Sequence, residues 1–190
     1  MICGLVLAAG AGTRFGDEPK QLADLAGRPL LEWAVGAQCE ARALQRVVVV
    51  LGSSAARIRE AVEFGRAELV VCPDWDTGQS ASLRCGLAQL AGADKVVVTL
   101  GDAPLMTSAV IERFADEDPG TRAVYHGRPG HPVVLGADQI ARLTKLDGDI
   151  GARKLLHGGP VIEIGHICSG HDVDTPEDLE EVRNEARAVL

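Results

Sequence analysis

The sequence predicts an α/β fold, a three-layer α/β/α sandwich around a mostly parallel β-sheet. Two observations support this prediction. Apolar runs typical of buried strands alternate with amphipathic helical stretches, as in sheets built with right-handed crossovers. Hydrophobic residues also make up 46% of the chain and aromatic residues only 3%, so the core must consist of small aliphatic side chains, as in the interior of a parallel sheet.

The length and charge of the chain narrow the possible functions. We interpret 190 residues as a single domain spanning residues 1–190. The net charge of −8 argues against a nucleic-acid partner, which needs a basic face. The apolar amino-terminal stretch is too short to span a bilayer, so no membrane partner is expected. The five cysteines are scattered singly, which favours reduced thiols and a cytoplasmic location.

The first half of the chain contains the clearest strand and helix patterns. Four apolar runs are predicted to be buried strands: residues 2–7, 47–51, 69–71 and 96–100. Helices are expected from near Pro29, a residue suited to the first helical position, and over residues 55–64 and 81–90. Ser53 and Ser54 are capping candidates for the second of these helices. Ligands of such a sheet bind beyond the carboxyl ends of its strands.

The second half is less regular. Capping residues predict helices beginning near Thr107 and Asp149, and residues 133–135 and 161–164 could form strands. The final segment is a clear amphipathic helix in which Thr175 is the N-cap, Pro176 is the first helical residue and Asp178 closes a capping box.

A glycine-rich segment, residues 7–20, follows the first predicted strand. Gly10, Gly12 and Gly16 permit tight turns that leave backbone N–H groups pointing outward, and Arg14 and Lys20 add positive charge. This combination suits a polyphosphate, although the spacing fits neither the Walker pattern nor the dinucleotide fingerprint. The two cationic side chains could stabilise the charge that develops as pyrophosphate leaves. A flexible surface loop with two solvated charges is the alternative.

Asp102 is a candidate metal ligand. It follows the predicted strand 96–100 through Gly101, so its carboxylate should lie at the carboxyl edge of the sheet. Mg²⁺ prefers carboxylate and phosphate oxygens and uses few protein ligands. Alternatively, Asp102 only turns the chain ahead of Pro104.

Asp172 and Asp174 form a second acidic site, just before the final helix. One of them could cap that helix. Because Thr175 can provide the cap, a metal-ligand role for Asp174 stays open. One carboxylate from each half of the chain, meeting over a triphosphate, would make a reasonable magnesium site.

Seven segments spread over nearly the whole chain carry a family resemblance. They are LAAGAGTRFG (residues 7–16), AGRPLLEWAV (26–35), PDWDTGQSASLRCGL (73–87), GDAPLM (101–106), GHPVVL (130–135), DGDIGARKLL (147–156) and DVDTPEDL (172–179). In this order they resemble the small nucleotidyltransferases that complete the molybdenum cofactor. The similarity is greatest to the branch that transfers CMP to molybdopterin.

The resemblance implies a Rossmann-like nucleotidyltransferase fold and a magnesium-dependent reaction. A terminal phosphate of a molybdopterin-type acceptor would attack the α-phosphate of a nucleoside triphosphate and release pyrophosphate. Arg14, Lys20 and Asp102 would be catalytic, with Asp102 and Asp174 as metal ligands. The nucleotide-binding positions carried over from the family are Leu7, Ala8, Ala9, Gly10, Ala11, Gly12, Arg14, Lys20, Gln79, Ser80 and Ser82. Ser82 could instead cap the following helix.

Substrate identity also follows from the resemblance. Ala8 and Ala9 match the cytidylyl branch and favour CTP over GTP. The acceptor would lie against His131, Asp149 and Arg153, although His131 could be only a turn residue and Arg153 a solvated charge.

One departure affects the acceptor side. Family members commonly carry a basic residue directly before Gly-His-Pro, where this chain has Pro129, which fixes the backbone and lacks an N–H donor. The product would pass to a molybdoenzyme of the xanthine dehydrogenase class. Three alternatives remain: transfer to another phosphorylated acceptor such as a sugar phosphate, GTP-dependent guanylylation of the cofactor, and a non-catalytic cofactor carrier.

Overall fold

A computed structural model describes residues 1–144 and 158–189 of the chain. Seven strands form one sheet in the order β5-β4-β1-β6-β8-β7-β9, and two short strands, β2 and β3, pair separately. The strands are β1 Ile2–Ala8, β2 Asp24–Leu25, β3 Arg28–Pro29, β4 Arg46–Leu51, β5 Glu68–Val71, β6 Lys95–Leu100, β7 Arg122–Tyr125, β8 Arg128–Gly136 and β9 Val161–Glu163.

The sheet is mostly parallel, as the sequence predicts. β1 pairs in parallel with β4 and β6, and β4 pairs in parallel with β5. β8 runs antiparallel to both β6 and β7, whereas β7 and β9 are parallel to each other. Among the described strands of this sheet, β8 alone therefore runs against the others.

Helices cover both faces of the sheet and complete the three layers. They are α1 Leu30–Glu40, α2 Ala55–Ala61, α3 Gln79–Gln89, α4 Ser108–Asp116, α5 Ala137–Leu143 and α6 Pro176–Val189. Short 3₁₀ turns also lie at Lys20–Leu22 and Trp75–Thr77. No helix among these described segments is long and apolar enough to cross a membrane.

Alternation along β1 explains how the layers pack. Leu5 and Leu7 point into a core cluster that also contains Leu87 of α3. Val6 and Ala8 point to the opposite face, into a cluster with Leu31 and Val35 of α1 and Ile58 of α2. Successive side chains of a strand face opposite sides of the sheet, so one apolar strand supplies both cores. The three-layer α/β/α prediction is confirmed.

Several predicted boundaries need correction. The helix predicted over 55–64 ends at Ala61, because Val62 adopts an extended conformation. Ser54 is at its N-cap position but makes no capping hydrogen bond through its side chain. The helix predicted over 81–90 begins two residues earlier, after Gly78 as N-cap. The capping role considered for Ser82 is therefore wrong.

The strand predicted over 69–71 forms, but it is not buried. β5 lies at one edge of the sheet, and Leu69 and Val71 are 38% and 45% exposed. The strands predicted over 133–135 and 161–164 form as part of β8 and as β9, whereas β2, β3, β7 and α5 were not predicted from the sequence. The helix expected near Asp149 lies outside the described residues.

The amino terminus of α6 matches its predicted capping box. The hydroxyl of Thr175 accepts a hydrogen bond from the N–H of Asp178 at 3.2 Å. The carboxylate of Asp178 accepts from the N–H groups of Asp174 and Thr175 at 2.9 and 2.8 Å. These reciprocal bonds fix the backbone of Asp174, one of the candidate metal ligands.

Candidate functional site

A cleft of about 240 Å³ opens at the carboxyl edge of the sheet, where β1 and β6 end side by side. This is the edge at which open α/β sheets bind their ligands. The residues that line it are Leu7, Ala8, Gly10, Gly12, Thr13, Arg14, Lys20, Gln21, Gly101, Asp102 and Asp174.

The glycine turn after β1 shapes one wall of the cleft. Gly12 has φ +61°, and a β-carbon at this position would lie 3.1 Å from Cγ of Lys20. A side chain here would therefore be strained by its backbone and would also press on Lys20. The turn is closed by a 2.8 Å hydrogen bond from the N–H of Phe15 to the carbonyl of Gly12.

Gln21 stabilises the same turn through hydrogen bonds to its backbone. Its side-chain amide donates hydrogen bonds to the carbonyls of Ala8, at 3.2 Å, and Gly10, at 3.0 Å. Gln21 is itself buried. Since both carbonyls are engaged with Gln21, the course of the backbone between them is fixed.

Lys20 links the two candidate metal ligands directly. Its ammonium lies 2.6 Å from Oδ2 of Asp102 and 2.9 Å from Oδ1 of Asp174. The Lys20 side chain is only 8% exposed, whereas Asp102 and Asp174 are 23% and 37% exposed. Three residues distant in sequence therefore meet at one point of the cleft wall.

Arg14 extends this network toward solvent. Its Nη2 lies 2.6 Å from Oδ2 of Asp174, and its side chain is 70% exposed. Asp174 thus receives one cationic group on each carboxylate oxygen, a buried one from Lys20 and a solvated one from Arg14. The solvated contact is the weaker one, since water screens exposed ion pairs.

The charges of this network shift the pKa values of two groups. Burial alone would lower the pKa of Lys20, but Asp102 and Asp174 outweigh it and raise the pKa, so the side chain stays an ammonium. Burial of the carboxyl group, followed by the like charges of Asp102 and Asp174, raises the pKa of Asp172 to about 7. The Asp172 residue as a whole is exposed, so solvent weakens this shift.

The residues present fit a hard divalent cation completed by phosphate oxygens. Oδ1 of Asp102 is buried and has no hydrogen-bond partner among the described residues, so it is a free hard ligand. Within the same part of the chain, no group of three or more His, Cys, Asp or Glu side chains could hold a metal. Mg²⁺ uses one or two carboxylates together with substrate phosphates, so Asp102 and Asp174 suit it.

The structure brings many of the predicted site residues together. Those that line the cleft are Leu7, Ala8, Gly10, Gly12, Arg14, Lys20, Asp102 and Asp174. Ala9 and Ala11 belong to the same turn but do not line the cleft. Ala9 is buried with its carbonyl bonded to the N–H of Ser53 at 3.0 Å.

Gln79, Ser80 and Ser82 lie in the first turns of α3 and not in the cleft wall. Ser80 and Ser82 are buried, whereas Gln79 is exposed. Ala81, between the two serines, packs in the same core cluster as Ala9. The start of α3 therefore packs on the same face of the sheet as Ala9.

The acceptor residues are placed only in part. His131 lies in β8, two residues before Val133, which pairs with Val98 of β6. It is therefore at the edge of the sheet that carries Asp102, although it does not line the cleft. Burial, reinforced by the charge of Arg122, lowers the pKa of His131 to about 4. Asp149 and Arg153 lie outside the described residues.

Sequence reasoning missed three residues of the cleft and the electrostatic role of a fourth residue, Asp172. Thr13, Gln21 and Gly101 line the cleft, and Asp172 interacts electrostatically with both candidate metal ligands. Asp172 had a signal, since it shares a motif with Asp174. Gln21 had no sequence signal beyond its position after Lys20. Its role depends on hydrogen bonds to two backbone carbonyls, which lie near it only in the folded chain.

The edge of this sheet is suited to a phosphorylated ligand. The glycine turn after β1 can donate backbone hydrogen bonds. Arg14 and Lys20 line the same cleft as the carboxylates of Asp102 and Asp174. The sheet has helices on both faces, as in other α/β folds that bind ligands at this edge. Fold and cleft together define an α/β protein of the nucleotide-binding class.

Comparison with known proteins identifies the family. The model of the MobA-like NTP transferase domain matches residues 4–164. The chain belongs to the MobA-like NTP transferase family.

Relatives of known sequence or structure agree with this assignment. The chain is 32% identical over 193 residues to nicotine blue oxidoreductase from Paenarthrobacter nicotinovorans, covering 94% of both chains. The crystal structure of Rv0371c from Mycobacterium tuberculosis H37Rv matches with a TM-score of 0.83 and 32% identity, covering 96% of this chain and 97% of that one.

Two further structures bear on the chemistry of the family. A nucleotidyl transferase from Methanothermobacter thermautotroptrophicus matches with a TM-score of 0.81 and 27% identity, covering 100% of this chain and 99% of that one. A manganese complex of Rv0371C matches with a TM-score of 0.78 and 31% identity, covering 96% of this chain and 98% of that one. The predicted family resemblance and fold class are confirmed.

Proposed function

We propose that this protein transfers CMP from CTP to a molybdopterin-type acceptor with Mg²⁺ as cofactor and releases pyrophosphate. The observation that carries the proposal is the position of Lys20. Its ammonium contacts both Asp102 and Asp174, and its side chain packs against Gly12 of the glycine turn. Cationic and carboxylate groups meeting beside backbone donors match what a metal–triphosphate complex requires.

The transfer exchanges one phosphoanhydride bond for another. A terminal phosphate oxygen of the acceptor attacks the α-phosphorus of CTP, the bond from that phosphorus to the bridging oxygen breaks, and pyrophosphate leaves. Bound Mg²⁺ would neutralise phosphate charge in this reaction. Arg14 and Lys20 counter the charge on the leaving pyrophosphate, and the turn from Gly10 to Gly12 holds the phosphates through its N–H groups.

CTP is preferred over GTP because Ala8 and Ala9 match the cytidylyl branch of the family. Ala8 is tightly enclosed, since a β-carbon on Gly101 would come within 2.7 Å of its methyl group. We place the base beside Gln79, Ser80 and Ser82, because these positions match the base-contacting segment of the family and Ala81 shares a core cluster with Ala9.

The acceptor is assigned to the side of the cleft where β8 begins. The lowered pKa of His131 keeps its imidazole neutral near neutral pH, so it can hydrogen-bond a pterin but adds no charge for a phosphate. Asp149 and Arg153 remain predicted acceptor contacts. Pro129, which replaces a basic residue of the family, makes this side the one most open to a different phosphorylated acceptor.

A substrate screen tests the proposal. Purified protein is incubated with each of the four nucleoside triphosphates, Mg²⁺ and either molybdopterin or a sugar phosphate, and pyrophosphate is followed. We expect release with CTP and molybdopterin. Release with GTP instead would indicate guanylylation. Release only with a sugar phosphate would reject the molybdopterin assignment while preserving nucleotidyl transfer.

Two alternative functions predict different outcomes when the same purified protein is assayed. The name of the Paenarthrobacter relative, nicotine blue oxidoreductase, suggests an oxidoreductase, which would change the oxidation state of its substrate without releasing pyrophosphate. A non-catalytic carrier would bind molybdopterin and release nothing. The joint presence of Arg14, Lys20, Asp102 and Asp174 in one network favours transfer, because a carrier has no need of a leaving-group site.

The cellular setting follows from the same proposal. All five cysteines are free, which suits a reducing cytoplasm.

We propose that residues 1–190 act as one nucleotidyltransferase domain, because one sheet joins strands from β1 to β9. The product would be handed to a molybdoenzyme of the xanthine dehydrogenase class, and a pull-down with such an enzyme tests this step.

A further inference from the structure

Lys20 bonds to the oxygens that the proposed metal would need. Its ammonium contacts Oδ2 of Asp102 at 2.6 Å and Oδ1 of Asp174 at 2.9 Å. Arg14 takes the remaining oxygen of Asp174 at 2.6 Å. Of the four carboxylate oxygens, only Oδ1 of Asp102 has no partner among the described residues. A cation that uses both carboxylates must therefore displace a protein cation from at least one of them.

The displacement is unfavourable for the metal alone. Lys20 is almost completely buried, so an ammonium that loses a contacting carboxylate there loses much of the charge that compensates its burial. A divalent cation placed beside it would add like-charge repulsion. Binding of the metal thus requires another anion to receive Lys20.

A triphosphate supplies that anion. The side chain of Lys20 packs against Gly12, since a β-carbon there would lie 3.1 Å from its Cγ, and Gly10 and Gly12 line the same cleft as Lys20. A phosphate held by this turn would lie within the range of a small rotation of the Lys20 side chain, and Arg14 is solvated enough to follow it. Both carboxylates are then released toward the metal.

We propose that Lys20 competes with the divalent cation for Asp102 and Asp174, and that the nucleoside triphosphate relieves this competition by drawing Lys20 onto its phosphates. This inference rests on the proposed function and deepens it. Metal and nucleotide then bind with positive coupling, and each raises the affinity of the protein for the other by the same factor. Lys20 therefore pairs first with the two carboxylates and then with the triphosphate. Its pairing with the carboxylates allows the site to bind the metal only together with the nucleotide.

Manganese binding tests the competition without any turnover. Free Mn²⁺ is titrated by electron paramagnetic resonance against the wild type, Lys20→Met and Arg14→Met, with no nucleotide present. We expect Lys20→Met to raise the Mn²⁺ affinity at least about ten-fold, because both carboxylates become free. Arg14→Met removes the same charge but only an exposed contact, so a rise below about three-fold is expected.

The coupling is measured in the wild type, where folding of a variant is not in question. Mn²⁺ is titrated again with a CTP analogue whose α,β-bridge is methylene, and the binding of Mn²⁺ to the analogue alone is measured separately and included in the analysis. We expect the bound analogue to raise the Mn²⁺ affinity of the protein at least about ten-fold. Lys20→Arg, which keeps the charge, should retain part of this effect.

The outcomes separate this inference from the function on which it rests. Equal Mn²⁺ affinity with and without bound analogue, or equal gains in Lys20→Met and Arg14→Met, would overturn the competition while leaving nucleotidyl transfer intact. Failure of the wild type to bind the analogue at any Mn²⁺ concentration would instead reject the proposed function. An unfolded Lys20→Met variant leaves the decision to the wild-type titration.

Discussion

The backbone N–H of Val173 donates a 2.8 Å hydrogen bond to the carbonyl of Asp102. This bond joins the segment after β6 to the segment before α6. Because it lies one residue from Asp174, it sets the spacing between the two candidate metal ligands independently of their charged side chains. The carboxylates can therefore exchange Lys20 for another cation without the two segments moving apart.

Asp102→Asn tests the proposed metal ligand. The variant keeps the shape of the side chain but loses its charge, so we expect kcat to fall by about 10²-fold or more while the circular dichroism spectrum is unchanged. Asp116→Asn, on exposed α4 surface, is the matched control and should retain full activity. Wild-type turnover in Asp102→Asn would remove this residue from the mechanism.

Gly12→Ala tests the glycine turn. Alanine at φ +61° costs about 1–2 kcal/mol, and its methyl group would press on Lys20, so we expect lower thermal stability and a higher KM for CTP. Gly36→Ala is the control, because Gly36 lies within α1 with open space around it. That change should stabilise the helix by about 0.5–1 kcal/mol. Equal effects at both positions would contradict a special role for Gly12.

Gln21→Ala tests the hydrogen bonds that stabilise the turn. Two carbonyls lose their donor, so we expect a loss of about 1–3 kcal/mol in the free energy of unfolding. The looser turn should raise the KM for CTP more than it lowers kcat, because the side chain acts on the position of the backbone. Gln89→Ala, at an exposed position of α3, provides the comparison. A lower kcat at unchanged KM would argue against a positioning role.

Asp172→Asn tests the pKa of the third carboxylate. A carboxyl group whose folded pKa is raised to about 7 binds its proton more tightly in the folded chain, so stability falls as the pH rises from about 4 toward about 7. We expect the wild type to lose more thermal stability than Asp172→Asn between about pH 5 and about pH 8. Solvent reaches Asp172 and screens the effect. Parallel profiles for the two proteins would show that Asp172 ionises normally.

The sequence was sufficient for the parts of the fold that depend on local pattern. The apolar run of β1 and the capping box of α6 could be recognised because strand and helix periodicity and capping chemistry involve neighbouring residues. The exposure of Leu69 and Val71 in β5 could not, because an apolar run looks the same in a central strand as at an edge.

The candidate site divides in the same way. Lys20, Asp102 and Asp174 could be named because each combines a chemically distinctive side chain with a recognisable neighbour, such as the glycine turn or the helix cap. Their mutual contacts could not be predicted, since they depend on the order β4-β1-β6 and on the path of the chain back to α6. Gln21 was missed because an amide next to a lysine has no pattern until Ala8 and Gly10 are brought to it.

Because β8 runs against the other strands of the sheet, the turn that leads into it can change independently of the glycine turn after β1. β1 and β6 end at the edge of the sheet that carries the cleft, whereas β8 begins at that edge, so the hairpin turn at His126 and Gly127 lies on the side where we propose that the acceptor binds. Insertions or replacements in that turn would leave the nucleotide half of the molecule untouched. Under the proposed function, replacing residues of this one hairpin would change acceptor selection while the phosphate-binding turn keeps its sequence.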